Sequence, residues 1–318
     1  MQAVIPQLLS QGHEVRGVDN FVRYGRLDRD RRYEFREGDL IDRDFAASVM
    51  QGVDGIIQAA ARIYGVGGFH KYPAQILSHD VALHQNVLWE ALNQGVRRVV
   101  YISSSMVFER CEKHPSAEED VFQSMVPLTD YGLSKLVGER LSLAFHKQYG
   151  LEFVIWRPFN IITPYETAED EQGISHVFAD FISNIVMKKL NPLPIFGDGE
   201  QVRCFTWIDD VASAIASYSF SQEACNNTFN LGNPEPLTMK QLAQLIYEEA
   251  VRMGLLAEHN GGLTFRTSGA FEDDVRVRIP DVSKADELLH WRAKVPVQEA
   301  LRRCLVIHHR TAGPACDG

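Results

Sequence analysis

The chain is poor in cysteine, has no long apolar run and carries no excess of positive charge. Its five cysteines among 318 residues are scattered, odd in number and without metal-ligand spacing. This predicts reduced thiols in a cytoplasm and no metal site. No apolar run reaches the roughly 18 residues that span a bilayer, so we expect no membrane association. The net charge of -10 argues against a nucleic-acid partner, because phosphate binding needs clustered lysine and arginine.

The first half of the chain alternates short β-branched runs with amphipathic segments. Apolar residues make up 45% of the sequence, which is ample for a large core. Strands are expected at 14–19, 33–38, 55–61, 98–103 and 152–157, and helices at 3–11, 41–51, 80–95 and 129–149. This order predicts an α/β fold with a Rossmann-type, doubly wound parallel sheet.

A Tyr-x-x-x-Lys spacing at Tyr131 and Lys135 is the main candidate for chemistry. On a helix, side chains four residues apart share a face, so the ammonium can lie beside the phenol and favour its ionised form. The three serines Ser103 to Ser105 close the preceding strand and offer a hydroxyl to a reacting oxygen. Spacing alone also fits a half-buried aromatic ring beside a solvated lysine, because the chain has 10 tyrosines.

An acidic residue, Asp19, ends the second expected strand. A carboxylate at that place accepts hydrogen bonds from an adenosine ribose and disfavours the extra phosphate of NADP, which predicts NAD as the cofactor. A turn aspartate is the alternative, since Asp-Asn is a common turn pair.

A glycine-rich turn is missing where a dinucleotide fold normally has one. Such folds open with a strand and a Gly-x-x-Gly-x-x-Gly turn that holds the pyrophosphate. The nearest glycine cluster, Gly65 to Gly68, follows a later strand. We interpret the chain as lacking the first strand and turn of such a fold, in preference to a degenerate homologue. We therefore expect it to bind NAD weakly.

Taken together, these segments resemble the extended short-chain dehydrogenase/reductases, specifically the NAD-dependent nucleotide-sugar epimerase/dehydratase family, over nearly the whole chain. The similarity is carried by short motifs in a fixed order: 18–21 (VDNF), 38–40 (GDL), 58–61 (QAAA), 103–108 (SSSMVF), Tyr131 with Lys135, 157–160 (RPFN), 197–205 (GDGEQVRCF), 209–212 (DDVA), 230–232 (NLG), 275–278 (VRVR) and 281–285 (DVSKA).

The resemblance implies roles for the residues at matching positions. Tyr131 would be the base, Lys135 would lower its pKa and hold the nicotinamide ribose, and Ser104 would orient the reacting hydroxyl. The other cofactor contacts that it implies are Asp19, Asn20, Asp39, Leu40, Ala60, Ala61 and Phe159. The implied substrate contacts are Ser105, Met106, Asn160, Arg203 and Arg276, with Arg278 as the alternative to Arg276.

The implied reaction is oxidation of a sugar hydroxyl by NAD to a transient keto-sugar. Return of the hydride to the opposite face would make the enzyme an epimerase of a nucleotide-diphosphate sugar. A dehydratase, decarboxylase or reductase of the family, or a non-catalytic NAD-binding relative, is the alternative.

Departures from the family pattern narrow this choice. Sugar 4,6-dehydratases have an acid pair where Ser105 and Met106 stand, so that reaction is not expected. The segment 63–70 and the 275–278 run are similar to GDP-mannose 3,5-epimerases, but those enzymes have a cysteine at the place of Met106. His176 is a possible acid–base substitute, although loop histidines are more often solvated. Asp80 stands where the family usually has asparagine.

We expect two domains and a homodimer. The NAD-binding domain would comprise residues 1–160, with the segment at about 196–232 returning to it. A smaller C-terminal α/β substrate-binding domain would comprise residues 161–195 and 233–307, and residues 308–318 would form a disordered tail. By resemblance, the two long helices at 80–95 and 129–149 would form the dimer face.

Overall fold

A computed structural model describes residues 1–26, 32–269, 271 and 274–311. The helices are α1 (Val4–Ser10), α2 (Arg43–Met50), α3 (Val66–Lys71), α4 (Pro73–Asn93), α5 (Asp130–Tyr149), α6 (Val177–Ile182), α7 (Ile208–Tyr218), α8 (Met239–Arg252), α9 (Ser283–Leu289) and α10 (Val297–Thr311). The strands are β1 (Arg16–Asp19), β2 (Glu34–Glu37), β3 (Gly55–Gln58), β4 (Arg98–Ile102), β5 (Glu152–Pro158), β6 (Ile161–Ile162), β7 (Leu193–Ile195), β8 (Val202–Cys204), β9 (Thr206–Trp207), β10 (Asn227–Leu231), β11 (Pro236–Thr238), β12 (Phe265–Thr267) and β13 (Val277–Arg278).

A four-stranded parallel sheet with the order β10-β5-β4-β3 forms the centre of the first half. Its inner strands are continuous apolar runs because helices cover both faces, as parallel sheets require. Val100, Val154 and Trp156 are fully buried there. The strand–helix order and the parallel pairing confirm the predicted α/β, Rossmann-type fold.

The strands β1 and β2 pair in parallel with each other, with Arg16 opposite Glu34 and Asp19 opposite Glu37. Among the described residues, this pair forms a separate two-stranded sheet. Helix α2, which follows β2, begins at Asp42, whose carboxylate accepts hydrogen bonds from two backbone amides of the first turn. Such a cap satisfies donors that a helix otherwise leaves unpaired.

The second half has a hydrophobic core of its own. Helices α6, α8 and α10 pack around β7, with Phe178, Leu193, Leu242, Ile246 and Leu301 among its buried residues. The strand β10 crosses back to the central sheet and pairs with β5. The domain boundaries stay a prediction, although this separate core agrees with two packed units.

Helix α10 extends through Thr311, and His308 within it is buried. Residues 308–311 of the predicted disordered tail are therefore helical in the structure. Residues 312–318 lie outside the described residues. Within the described ranges, no helix combines the length and apolarity that a bilayer crossing requires.

Candidate active site

The start of helix α5 is fixed by two side chains, and this sets the position of Tyr131. Thr129 caps the helix by accepting a hydrogen bond from Gly132 N at 3.0 Å. Glu109 accepts hydrogen bonds from both the amide and the hydroxyl of Thr129, at 2.8 and 2.9 Å. The first turn is thus tied to the loop after β4, so that the tyrosine and the serine run face each other.

The structure brings Ser104, Tyr131 and Lys135 together. The hydroxyl of Tyr131 is hydrogen-bonded to Ser104. The Nζ atom of Lys135 donates to Ile102 O at 2.9 Å and lies 5.7 Å from the ring centroid of Tyr131. Tyr131 and Lys135 are both buried, at 6% and 1% exposure. The ring of Phe69 stacks on Tyr131 with centroids 4.6 Å apart.

The protonation of the pair differs from the expectation that Lys135 lowers the pKa of Tyr131. Burial, followed by the nearby Asp80 carboxylate, raises the pKa of Tyr131 well above its usual value of about 10. Burial also lowers the pKa of Lys135 to about 8. Desolvation of the phenolate therefore outweighs the attraction of the ammonium in the ligand-free site, and only the hydrogen bond from Ser104 and the more distant Arg278 oppose it.

Asp80 lies beneath this pair and has no exposed surface. Its carboxylate accepts hydrogen bonds from Arg62 N at 2.9 Å and from the Ser134 hydroxyl at 3.4 Å. A buried carboxylate acts on the charges around it over a longer range than a hydrogen bond. Asp80 consequently favours the protonated forms of both Tyr131 and Lys135.

A cleft of about 2160 Å³ opens above these residues. It runs along the carboxyl ends of the parallel strands, where ligands bind in open α/β sheets. Its volume exceeds the 300–1,000 Å³ that is usual for one small ligand. The cleft is therefore large enough for two ligands side by side.

One half of the cleft carries the predicted cofactor contacts. Its lining includes Asp19, Asn20, Asp39, Leu40, Ala60 and Ala61. Asn20 Nδ2 donates to Asp39 Oδ2 at 3.1 Å, which links the ends of β1 and β2. Phe159 is different, because its side chain is fully buried against Phe108 and does not line the cleft.

The cofactor half of the cleft also contains buried polar atoms without hydrogen-bond partners among the described residues, which suits a polar dinucleotide. Gln58 Oε1, Arg62 Nε and His79 Nε2 are buried, line the cleft and have no hydrogen-bond partner among the described residues. Buried polar atoms normally have a partner. A ligand with hydroxyl and phosphate groups would supply these partners.

The other half of the cleft carries two buried arginines. Arg203 donates to Asp274 Oδ1 at 3.0 Å, and Arg278 donates to Asn160 Oδ1 at 3.1 Å. Burial, followed by the neighbouring Arg203, lowers the pKa of Arg278 to about 9. Arg203 is paired with the Asp274 carboxylate, whereas the buried Arg278 donates to a neutral amide, so a bound anion would offset the desolvation of Arg278.

The substrate residues predicted from sequence fall into two groups. Ser105, Met106, Asn160 and Arg203 line the cleft. Arg276 does not line it, because its side chain is 60% exposed and forms an ion pair with Asp198 at 2.8 Å. Arg278, the alternative considered for this position, is the arginine that the structure places in the cleft.

Sequence reasoning underestimated a histidine–carboxylate pair in the same cleft. His176 Nδ1 lies 2.8 Å from Glu166 Oε1, and the His176 amide donates to the same oxygen at 2.9 Å. Burial lowers the pKa of His176, but Glu166 outweighs it and the net shift is upward. The two partners are ten positions apart in the sequence, and no periodic pattern predicted that they would pair.

The glycine segment 65–68 is hydrogen-bonded across the cleft to residues 173–174. Gly65 N donates to Ile174 O at 2.7 Å, and Gly67 N donates to Gly173 O at 2.9 Å. A Cβ atom on Gly65 would lie 2.1 Å from Ser175 O, so a side chain there would push the two segments apart. The segment leads into α3, which carries Phe69 onto Tyr131.

No group of three or more potential metal-ligating side chains occurs within the described ranges. The described cysteines are all free thiols.

The amino-acid sequence is similar to those of known proteins over most of the chain. A sequence model described as the NAD dependent epimerase/dehydratase family matches residues 2–232. The uncharacterized UDP-glucose epimerase YtcB of Bacillus subtilis is 28% identical over 309 residues, with 92% of this chain and 89% of that protein covered. UDP-glucuronic acid decarboxylase 1 of Arabidopsis thaliana is 27% identical over 304 residues. That alignment covers 94% of this chain and 65% of the Arabidopsis protein, which is less than two thirds of its length.

Solved structures share the fold over almost the whole chain. A UDP-glucose 4-epimerase from Thermotoga maritima superposes with a TM-score of 0.82 at 25% identity, and covers 98% of this chain and 96% of its own. The dTDP-glucose 4,6-dehydratase DesIV of Streptomyces venezuelae has a TM-score of 0.84 at 24% identity, with 98% and 94% covered. The second likeness concerns the fold alone.

Proposed function

Because the chain belongs to the NAD dependent epimerase/dehydratase family, we propose that it is a nucleotide-sugar epimerase acting through a transient keto-sugar. The family match confirms the resemblance and the NAD cofactor expected from the sequence. The observation that carries the proposal is the hydrogen-bonded Ser104 and Tyr131, with Lys135 beside them, in a cleft that also holds Arg203 and Arg278.

The residues of the cofactor half would hold NAD. Asp19, Asn20 and Asp39 offer carboxylate and amide groups for its adenosine, while the small side chains of Ala60 and Ala61 leave room for phosphate. Bound NAD supplies the acceptor for a hydride from the sugar carbon.

The proton of the sugar hydroxyl would pass between the sugar oxygen and the Tyr131 oxygen, with Ser104 holding both. The high pKa of Tyr131 in the ligand-free site makes it a phenol at rest. It is therefore prepared to return a proton to a keto oxygen. For the forward oxidation its own proton must first pass to solvent water in the cleft, and the phenolate then accepts the proton of the sugar hydroxyl. The hydrogen bond from Ser104 stabilises the phenolate, and the positive charge of Lys135 is available nearby.

Beyond Ser104 and Met106, the side chains of Asn160, Arg203 and Arg278 would bind the diphosphate. Guanidinium groups match phosphate oxygens in charge and shape, and the two arginines occupy paired positions of β8 and β13. In this proposal Arg278 takes the role that the sequence assigned to Arg276.

Epimerisation is favoured over dehydration by the residues after Ser104. Ser105 and Met106 line the cleft, and neither has an acidic group that could protonate a leaving hydroxyl. The carboxylate of Glu109 is occupied by Thr129. The homodimer through α4 and α5 stays a prediction beside this proposal.

The test is incubation of the protein and NAD with a panel of UDP-, GDP-, dTDP- and CDP-sugars, followed by mass spectrometry and NMR. An epimerase gives a product of unchanged mass, a dehydratase one that has lost water, and a decarboxylase one that has lost carbon dioxide. Tyr131→Phe should reduce turnover by about 100- to 10,000-fold, the range of general acid–base catalysis. A mass change in the wild-type product, or full turnover by the variant, would contradict the proposal.

A further inference from the structure

Beyond Ser104, contacts between neighbouring residues give the order of side chains along one wall of the cleft. Ser104 Oγ accepts a hydrogen bond from Met106 N at 3.2 Å. The Met106 sulfur contacts the guanidinium of Arg278, and Arg278 lies opposite Arg203 in the pairing of β13 with β8. The reactive hydroxyls are thus followed by the two arginines.

The same wall continues past the arginines to an aromatic ring. Arg203 and Gln201 both donate to Asp274, at 3.0 and 2.8 Å. Gln201 Nε2 also reaches Phe196 O at 3.3 Å. In sequence from the catalytic end, the wall presents hydroxyls, then cations, then a glutamine and a phenyl ring. A nucleotide sugar presents its sugar, its diphosphate and its nucleoside in the same order.

Two side chains in this part of the cleft, Gln201 and Asp180, have hydrogen-bond acceptors without partners among the described residues. Gln201 uses its amide NH₂ group for Phe196 and Asp274, and its Oε1 atom has no partner within the described part of the chain. Asp180 accepts from Gly173 N at 2.8 Å through Oδ2, and its Oδ1 atom is likewise unpartnered there. Both side chains line the cleft, at 6% exposure for Asp180 and 7% for Gln201.

Phe196 connects the two acceptors. Its ring lies 3.1 Å from the position of a Cβ atom on Gly173, the residue that Asp180 binds. On the other side it packs against Phe271, with ring centroids 5.0 Å apart. Ile195, Phe181 and Met239 add apolar surface to the lining. An aromatic ring in a part of the cleft that also offers two unpartnered acceptors suits a planar heterocycle with N–H groups on its edge.

We propose that Asp180 and Gln201 form a nucleobase subsite that selects guanine, so that the substrate is a GDP-sugar. This rests on the proposed function, which leaves the base open. Guanine has two adjacent donors, the ring N–H and the exocyclic amino group. Uracil has one N–H between two carbonyl oxygens, and these would face acceptor atoms across the subsite. An unpaired or repulsive polar contact in a buried site costs affinity.

The charged groups around Asp180 decide when it can act as an acceptor. Glu166 and His176 lie on the preceding loop, and Lys188 follows α6. Burial raises the pKa of Asp180 to about 6, with a further rise from Glu166. The carboxylate is therefore ionised at pH 8, and guanine binding is best measured there.

The experiment is calorimetric titration of the NAD-free protein with GDP and with UDP at pH 8. We expect GDP to bind about 10- to 100-fold more tightly than UDP, the range for hydrogen bonds to a charged group. Asp180→Asn, which places an NH₂ donor in the subsite, should weaken GDP binding by a similar factor and leave UDP binding little changed. Asp286→Asn, at an exposed ion pair with Arg292, is the matched control and should change neither affinity.

The wild-type comparison stands even if a variant does not fold. Equal or tighter binding of UDP to the wild type overturns the guanine subsite. Equal weakening of both nucleotides by Asp180→Asn also overturns it, because it would assign the contact to ribose hydroxyls that both nucleotides share. Neither result affects the epimerase proposal, which fails only if no nucleotide sugar is epimerised.

Discussion

The buried ion pair between Arg157 and Glu139 should be the most costly single contact to break near the site. The two side chains are 1% and 2% exposed. Arg157 donates to both oxygens of Glu139, at 2.8 and 2.7 Å, and to Glu118 O at 2.7 Å. Glu139 also accepts from the hydroxyl of Ser103, the first serine of the run that contains Ser104.

Arg157→Met removes three hydrogen bonds and leaves Glu139 as a buried carboxylate with only Ser103 as its side-chain partner. Removing one partner of a buried pair costs about 3–5 kcal/mol. At about 2 °C per kcal/mol for a chain of this size, the melting temperature should fall by about 6–10 °C. Turnover should fall as well, because Ser103 loses a fixed acceptor and the loop carrying Ser104 moves with it.

The assay is thermal unfolding followed by far-UV circular dichroism. A double variant, Arg157→Met with Glu139→Leu, removes both charges and should recover most of the lost stability, since apolar replacement of a whole buried pair is often neutral. Arg36→Met, which breaks an exposed pair with Glu34, is the control and should leave the melting temperature almost unchanged. The reasoning is refuted if Arg157→Met costs less than about 1 kcal/mol, or if the double variant is as unstable as the single one.

Two further predictions concern the segments that join the halves of the cleft. Gly65→Ala should destabilise the fold by about 1–3 kcal/mol, because its Cβ would overlap Ser175 O, and a melting temperature equal to that of the wild type would contradict this. The pKa of His176 is raised and that of Glu166 is lowered. The stabilisation of the fold by this pair is therefore complete at pH values just below the ordinary histidine pKa of about 6.5, where His176 is charged and Glu166 is ionised. That contribution is lost as pH rises through the raised pKa of His176, and also as pH falls through the lowered pKa of Glu166. His176→Gln should therefore flatten the decline of melting temperature between pH 6 and pH 9, and an unchanged slope would count against the pair.

The sequence predicted the elements that carry Tyr131 and Lys135 because their signals are local. Helix α5 has a threonine cap at its start and Gly150 at φ 74° just past its end, so both boundaries were legible. The burial of that helix could not be predicted from the local sequence. Burial, to which the stacked ring of Phe69 contributes, and the charge of Asp80 reverse the expected shift of the Tyr131 pKa, and these residues come from elements more than 50 positions earlier in the chain.

Arg276 and Arg278 show a second limit. Residues two apart in a strand face the same side, so alternation alone does not separate them. The strand β13 covers only Val277–Arg278, and Arg276 lies before it. Arg278 pairs opposite Arg203 and turns to Asn160, while Arg276 meets the exposed Asp198. Tertiary pairing, which has no trace in the local pattern, decides which arginine enters the cleft.

The unpartnered buried atoms of the cleft have a consequence for stability. Six of the residues with such atoms line it, three in each half: Gln58, Arg62, His79, Asp180, Gln201 and Arg278. Each buried group without a protein partner costs about 1–3 kcal/mol unless water or a ligand satisfies it. A ligand that supplies these partners binds the folded state alone and raises its stability by RT ln(1 + [L]/Kd). Because the atoms are divided between the halves, each ligand should relieve only its own set. The stabilisation by NAD and by a nucleotide should then be additive unless closure of the segments at Gly65 and Gly173 couples the halves, in which case the two together exceed their sum.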